Sequence, residues 1–404
     1  MTTSRADELL RKRDQPPRPT FLELFFDLAF AFGLSRVSAL LVVDLVVGGR
    51  SPLVEFGGTL LLLLAMLMVW FATAWLTNLY DPGRPEIQLV VAGTMLGSLL
   101  MALALPQALG NHGLPFAIPY VAIHLGRGLV MLPALRGRVE QRRAAGVLLW
   151  FAVSAAPWIV GAILPEGRRE ALWALALAID YTGAVLLWPA PWSGRGPERW
   201  PVAGEYLSGR YRQFFTIALG ELIVVAGTTY SVKYYGASGG RTSAFFVSFA
   251  TTVLLWRIYT HRVGEMLPAA LGKSAEAGRV ARRALPAHLV MVVAIVTTAA
   301  GSQVLIDYPQ RHPAPAWIAV ILGGPALFIV GRGALERAEF ARNPRDRVIG
   351  LLVLIGLGPV MLLVPTLAAA STATAVLAGI VIADAVHGRR RPADVPSRQS
   401  GRSH

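Results

Sequence analysis

The sequence predicts an all-α, polytopic membrane bundle of about twelve transmembrane helices. Three observations carry that prediction. The chain is 54% hydrophobic and only 15% charged, where a soluble domain carries about 25% charged residues. Its mean hydropathy is +0.52, too apolar to leave a polar face on each helix of a water-soluble bundle. Apolar runs of about 20 residues recur along the whole chain, each long enough to cross a bilayer.

Twelve spans can be marked, at roughly 21–47, 57–79, 87–109, 114–135, 144–164, 170–188, 213–230, 243–267, 285–306, 315–335, 347–366 and 368–386. Gly- and Pro-containing breaks separate most of them, such as Asp81-Pro82-Gly83-Arg84-Pro85. The organisation that follows is an arm over 1–19, a six-helix half over 20–190, a linker over 191–212, a second six-helix half over 213–387 and a polar tail over 388–404. If the N-terminus is cytoplasmic, 30 of the 38 Lys and Arg fall on the inner side and 6 on the outer, with Arg36 and Arg127 inside spans. That bias orients both termini to the cytoplasm. It also accounts for the net charge of +14 without a nucleic-acid partner. The arm lacks the apolar core of a secretory signal, so the first span is expected to start insertion and stay.

The first span opens Phe21–Leu34 as FLELFFDLAFAFGL, with Glu23 and Asp27 one turn apart on one helical face. Phe214–Gly227, FFTIALGELIVVAG, has the same character with Glu221. Setting Asp27 against Glu221 also sets Gly33 against Gly227. Span six (with Asp180) and span twelve (with Asp384) match in the same way. Two parallel six-helix repeats about an axis along the membrane normal would give this pattern.

These residues carry a resemblance. PTFLELFFDLAFAFGLSRVSALL resembles the opening signature of the bacterial low temperature requirement A (LtrA) family. The likeness continues at Trp75 with Asn78 and Asp81, at Tyr120 and Arg127, and at RYRQFFTIALGELIV. It reappears at Trp256 with Tyr259, at His288, and at LGGPALFIVGRGALER (Leu322–Arg337). It covers about residues 20–350, in order. The resemblance implies a multi-pass bacterial membrane protein, named for a growth phenotype rather than a reaction. One departure stands out. A His-x-x-Glu-Arg-like run usual before the LGE segment is represented here by Tyr206, Gly209 and Arg210, so only the arginine is kept.

Ionisable groups inside spans are costly and face a partner or a wet cavity. Asp27 and Glu221 lie too deep to be helix-end carboxylates, and are the candidate proton- or ion-binding residues. Glu23 joins them, or else simply favours its helix N-terminus. Arg127, between two glycines, either neutralises the carboxylates or binds an anionic substrate. A structural ion pair of Asp27 with Arg36, Arg127 or Arg210 is the competing reading. Arg36, Arg210 and His288 are candidate supporting residues, His288 more simply as a satisfied interfacial group. Trp70, Trp75, Trp150, Trp158, Trp173, Trp188 and Trp192 read mostly as interfacial anchors.

The chain has no cysteine, no His-Glu-x-x-His zinc motif and no phosphate loop. No metal or cofactor is expected. Gly236–Gly240 matches the Gly-x-Ser-x-Gly elbow, but in a loop between spans rather than a strand-turn-helix. The leading functional expectation is a transporter or permeation protein of the bacterial inner membrane, using intramembrane carboxylates. Its partners would be membrane lipids and a small solute, proton or ion, with a homo-oligomer left open. An integral-membrane enzyme acting on lipids and a non-catalytic protein held together by polar pairs are the alternatives.

Overall fold

A computed structural model of the chain describes residues 9–11, 19–47, 51–192, 204–232, 234–260, 274–340 and 345–389. The expectations for most of the arm, for 193–203 of the linker and for the tail beyond 389 lie outside the described residues. Twelve α-helices run in order: α1 Phe21–Val47, α2 Pro52–Leu79, α3 Pro85–Ala108, α4 Leu114–Ala134, α5 Val139–Ile163 and α6 Arg168–Leu186, then α7 Gly204–Ser231, α8 Gly239–Thr260, α9 Ser274–Asp307, α10 Pro315–Phe340, α11 Arg345–Met361 and α12 Thr366–Arg389. Among the described residues there is no strand, only an isolated bridge between Leu10 and Tyr80.

Ten of the twelve helices are long and apolar enough to cross a membrane. The other two are α11, at 17 residues, and α6, whose first turn carries Arg168, Arg169 and Glu170. Helix boundaries fall near the expected spans, with two early starts: α9 begins at Ser274, eleven residues before the span marked at 285, and α7 is the more informative case. α7 begins at Gly204, nine residues before the span marked at 213. The charges of Arg210 and Arg212 lower the local hydropathy there. Arg210 nevertheless lies inside the helix and fully buried, because its charge is met within the protein.

The apolar surfaces sort into two kinds. On α1, Phe21, Phe25, Leu28 and Phe32 face outward. This is an apolar stripe at helical spacing that suits lipid. The opposite stripe, Glu23, Phe26, Asp27, Phe30 and Leu34, is buried in the bundle. α2 and α9 are the most enclosed helices, and α5 and α12 among the least. Trp70, Trp158 and Trp173, expected as interfacial anchors, are instead buried in the core. Each has its indole N–H engaged, by Asp27, Asp180 and the Trp158 carbonyl respectively, which is what allows an indole at that depth.

Within the first six helices, α1 packs on α2 and α3, α3 on α4, α4 on α5, α5 on α6, and α2 back on α6. The same neighbour order occurs in the second six: α7 on α8 and α9, α9 on α10, α10 on α11, α11 on α12, and α8 on α12. The tightest seam is α9 against α10. A Cβ on Gly324 would sit 2.8 Å from the Thr298 backbone nitrogen, and one on Gly331 3.0 Å from the Ala287 carbonyl. Glycine there lets the two backbones approach closely. At the opposite end of the first half from the arm, the Arg169 guanidinium collects terminal carbonyls of α3 and α5, among them Ala108 at 3.2 Å and Leu164 at 2.9 Å. These are the orphan acceptors every helix C-terminus leaves.

The seam between the two sets of six is built by α1 and α2 against α7 and α9. Contacts along it advance together. Asp27 meets Arg210 and Gln213, Phe30 meets Phe214, and Ser35 meets Glu221. α1 and α7 therefore run parallel, as two segments separated by five reversing helices must.

Candidate functional site

The α1–α7 seam gathers most of the ionisable residues expected from sequence. Asp27 is fully buried. Arg210 grips it with both terminal nitrogens, Nη1 donating to Oδ2 and Nη2 to Oδ1, each at 2.8 Å. Trp70 Nε1 donates to Oδ1 at 2.8 Å, and Gln213 Nε2 to Oδ2 at 2.7 Å. Four donors from three side chains thus meet one carboxylate, a bidentate arrangement of the strongest kind. The Trp70 indole is in turn stacked on Phe214, with ring centroids 4.1 Å apart. Of the three arginines open as partners for Asp27, the fold selects Arg210, the residue retained from the familiar run before the LGE segment.

Glu23 sits one turn earlier on α1. Its Oε2 accepts from the Thr20 backbone N–H at 2.7 Å and from the Thr20 hydroxyl at 2.9 Å. This is one arm of a capping box. Its other oxygen lies 4.0 Å from Arg210 Nε, so the charge also supports the buried guanidinium.

Glu221 is different. It is 2% exposed, and Oε2 accepts a short hydrogen bond from the Ser35 hydroxyl of α1. Among the described residues, Oε1 has no hydrogen-bond partner and no ion pair reaches the carboxylate. Ser35 lies eight residues beyond Asp27 on α1, about 12 Å along the axis. The alignment that set Asp27 against Glu221 is thus not the register in which the helices meet, and the two carboxylates occupy different depths. Arg36, next to Ser35, has an enclosed Nε without a hydrogen-bond partner among the described residues.

Arg127 is not at this seam. It lies on α4 in the first half, 7% exposed, and Nη2 donates to the Thr73 hydroxyl of α2 at 2.8 Å. Nε and Nη1 have no partner among the described residues. One turn before it, His124 is 3% exposed, with its ring stacked on Phe151 at 3.8 Å. Both His124 ring nitrogens lack a protein partner there as well. The sequence signal for His124 was its i, i+3 spacing from Arg127 on one helical face. Further along that face, the Tyr120 hydroxyl donates to Asp180 at 2.7 Å. Asp180 is therefore held by Tyr120 and Trp158, whereas Asp384 meets Arg347 at 3.4 Å.

His288 is satisfied. Nδ1 donates to the Ala284 carbonyl at 2.9 Å, and Nε2 accepts from the Tyr259 hydroxyl at 3.2 Å. In the second half the remaining buried cations are paired. Glu336 meets Arg332 at 3.2 Å and also Arg347, which continues to Asp384.

Twelve apolar helices with ionisable groups sealed between them define a multi-pass helical membrane protein. The comparison with known proteins makes this specific. Residues 18–382 match the family described as Bacterial low temperature requirement A protein (LtrA), and the chain belongs to that family. An uncharacterized protein of Rhizobium meliloti (strain 1021) is 31% identical over 352 residues, covering 86% of this chain and 84% of its own length. No solved structure matches the chain.

Proposed function

We propose that the protein is a permeation protein of the bacterial inner membrane, both termini cytoplasmic, in which Glu221 takes up and releases a proton or cation. One observation carries this reading. Glu221 is enclosed at the seam between two sets of six helices and, among the described residues, is held by a single hydroxyl, with one oxygen unbonded and no cation paired to it. An ionisable group in that state inside a membrane is costly unless it works. The parallel α1 and α7 and the recurring neighbour order support two parallel six-helix repeats, and the seam between them is where such proteins bind their solutes. The charge bias of the loops supports the orientation.

The hydrogen bonding supports a division of labour among the carboxylates. Asp27 with Arg210 fastens α1 to α7, Glu23 caps α1 and buttresses Arg210, and Glu221 is the exchanging group. Reconstitution into proteoliposomes tests it. Wild-type protein is expected to move protons or a monovalent cation down an imposed gradient, and Glu221→Gln to abolish that flux while unfolding at nearly the wild-type temperature. Flux unchanged in Glu221→Gln would overturn the assignment. Absence of flux with chemically altered lipids would favour the enzyme, and absence of both the purely structural protein.

A further inference from the structure

A second polar centre lies away from the seam, inside the first six helices. The Arg127 guanidinium has five N–H donors, of which the described residues take one, through Thr73. Among the described residues no carboxylate pairs with it; Asp180 on α6 is held by Tyr120 and Trp158. His124, on the same face of α4, has two further unpaired nitrogens. A full positive charge in an apolar interior requires a counter-ion or water. Arg127 and His124 line one cavity of about 50 Å³, where a single water needs about 10–15 Å³.

The rest of that cavity is apolar. Its walls come from the arm-side end of the half: Trp75 and Leu79 of α2, Met131 of α4, Leu148 of α5 and Trp188 just after α6. Trp188 is held there by an unusual backbone. It and Leu187 both adopt positive φ, 49° and 64°, without being glycine. The Trp188 N–H closes the end of α6 on the Gly183 carbonyl at 2.7 Å. Strain of this kind persists only where the surroundings enforce it, and here it sets the indole against Phe71 and Trp75.

We infer that this cavity binds a small organic monoanion, a carboxylate on an apolar body of about one or two carbons, with the carboxylate on Arg127 and His124 and the short body toward Leu148 and Trp188. One guanidinium compensates one charge, and its fork matches a carboxylate. A multiply charged phosphate would need further cations, and a halide would leave the apolar walls unused. A fatty acid shares the carboxylate, but its chain is too long for this cavity. The site is independent of Glu221, and its readout is binding rather than flux.

The test uses full-length protein in a detergent with uncharged headgroups, with unfolding temperature followed against acetate, palmitate, phosphate and chloride. A bound ligand raises that temperature saturably. Protection by acetate supports the site, and protection by palmitate without protection by acetate would overturn it. Arg127→Gln should weaken the protecting acid by about tenfold or more. Ala144→Phe fills the cavity wall while keeping the arginine, and should have the same effect, so the result does not hang on one variant's folding. Equal protection by phosphate or chloride, protection by none of the four, or protection unchanged in both variants would overturn the proposal.

Discussion

Arg210 and Arg127 are the same side chain, both buried in membrane helices, and the protein treats them in opposite ways. Arg210 crosses from α7 to α1 and meets a carboxylate whose remaining capacity is taken by Trp70 and Gln213. Among the described residues Arg127 reaches only a threonine hydroxyl, and it lines a cavity. A buried charge in a complete network holds helices together, whereas one left incomplete is a place for something else to bind. Burial alone therefore does not mark a functional residue in this bundle; the state of its partners does. The carboxylates divide in the same manner, Asp27 saturated and Glu221 open on one side.

The largest expected effect comes from breaking the complete network. Asp27→Asn leaves Arg210 charged with only the more distant Glu23 to compensate it, and should cost about 3–5 kcal/mol of stability, measured by unfolding in detergent. Adding Arg210→Gln to it should recover much of that loss, while adding Arg127→Gln should recover none. Recovery by Arg127→Gln would mean that the two arginines share a carboxylate after all.

Removing one donor from the network should cost less. Trp70→Phe keeps an aromatic ring against Phe214 but deletes a hydrogen bond to a charged acceptor, for a loss of about 1.5–3 kcal/mol. Equal stability of Trp70→Phe and wild type would show that Asp27 is not held as described.

The smallest effect belongs to the open centre. Without added ligand, Arg127→Gln removes a charge that no described residue neutralises and should change stability by no more than about 1 kcal/mol in either direction. Thr73→Val deletes its one protein acceptor and should lower stability by about 1 kcal/mol or less, within the worth of a single hydrogen bond. A loss from Arg127→Gln as large as that from Asp27→Asn would end the contrast between the two sites.

Much of the architecture was legible in the chain. Twelve helices, their order and their approximate bounds follow from apolar runs and the breaks between them, because a bilayer accepts only segments that satisfy their own backbone hydrogen bonds. The depth of Asp27, Glu221 and Arg127 was readable for the same reason: an ionisable residue amid apolar ones stands out. Where hydropathy misled, charge was the cause. The start of α7 was placed nine residues late because Arg210 looks like a loop residue until its partner is known. Trp70, Trp158 and Trp173 looked like interfacial anchors until their buried acceptors were seen.

Partnership was what the tertiary structure alone decided. Arg36, Arg127 and Arg210 were equal candidates for Asp27 on sequence grounds, and nothing in a one-dimensional pattern ranks them. The choice is made by which helices touch and in what register. Asp27 sits level with Arg210 and not with Glu221 because α1 and α7 pack parallel with an offset set by side chains such as Phe30 and Phe214. The sequence by itself determined that this chain is a polytopic helical membrane protein, which segments form its helices, and which residues are costly there. The packing of helices distant in sequence determined which of those costs are cancelled within the protein, at Asp27 and His288, and which are left open, at Glu221, Arg127 and His124. Hydropathy is a property of each segment, but neutralising a buried charge takes an atom from another helix within hydrogen-bonding distance.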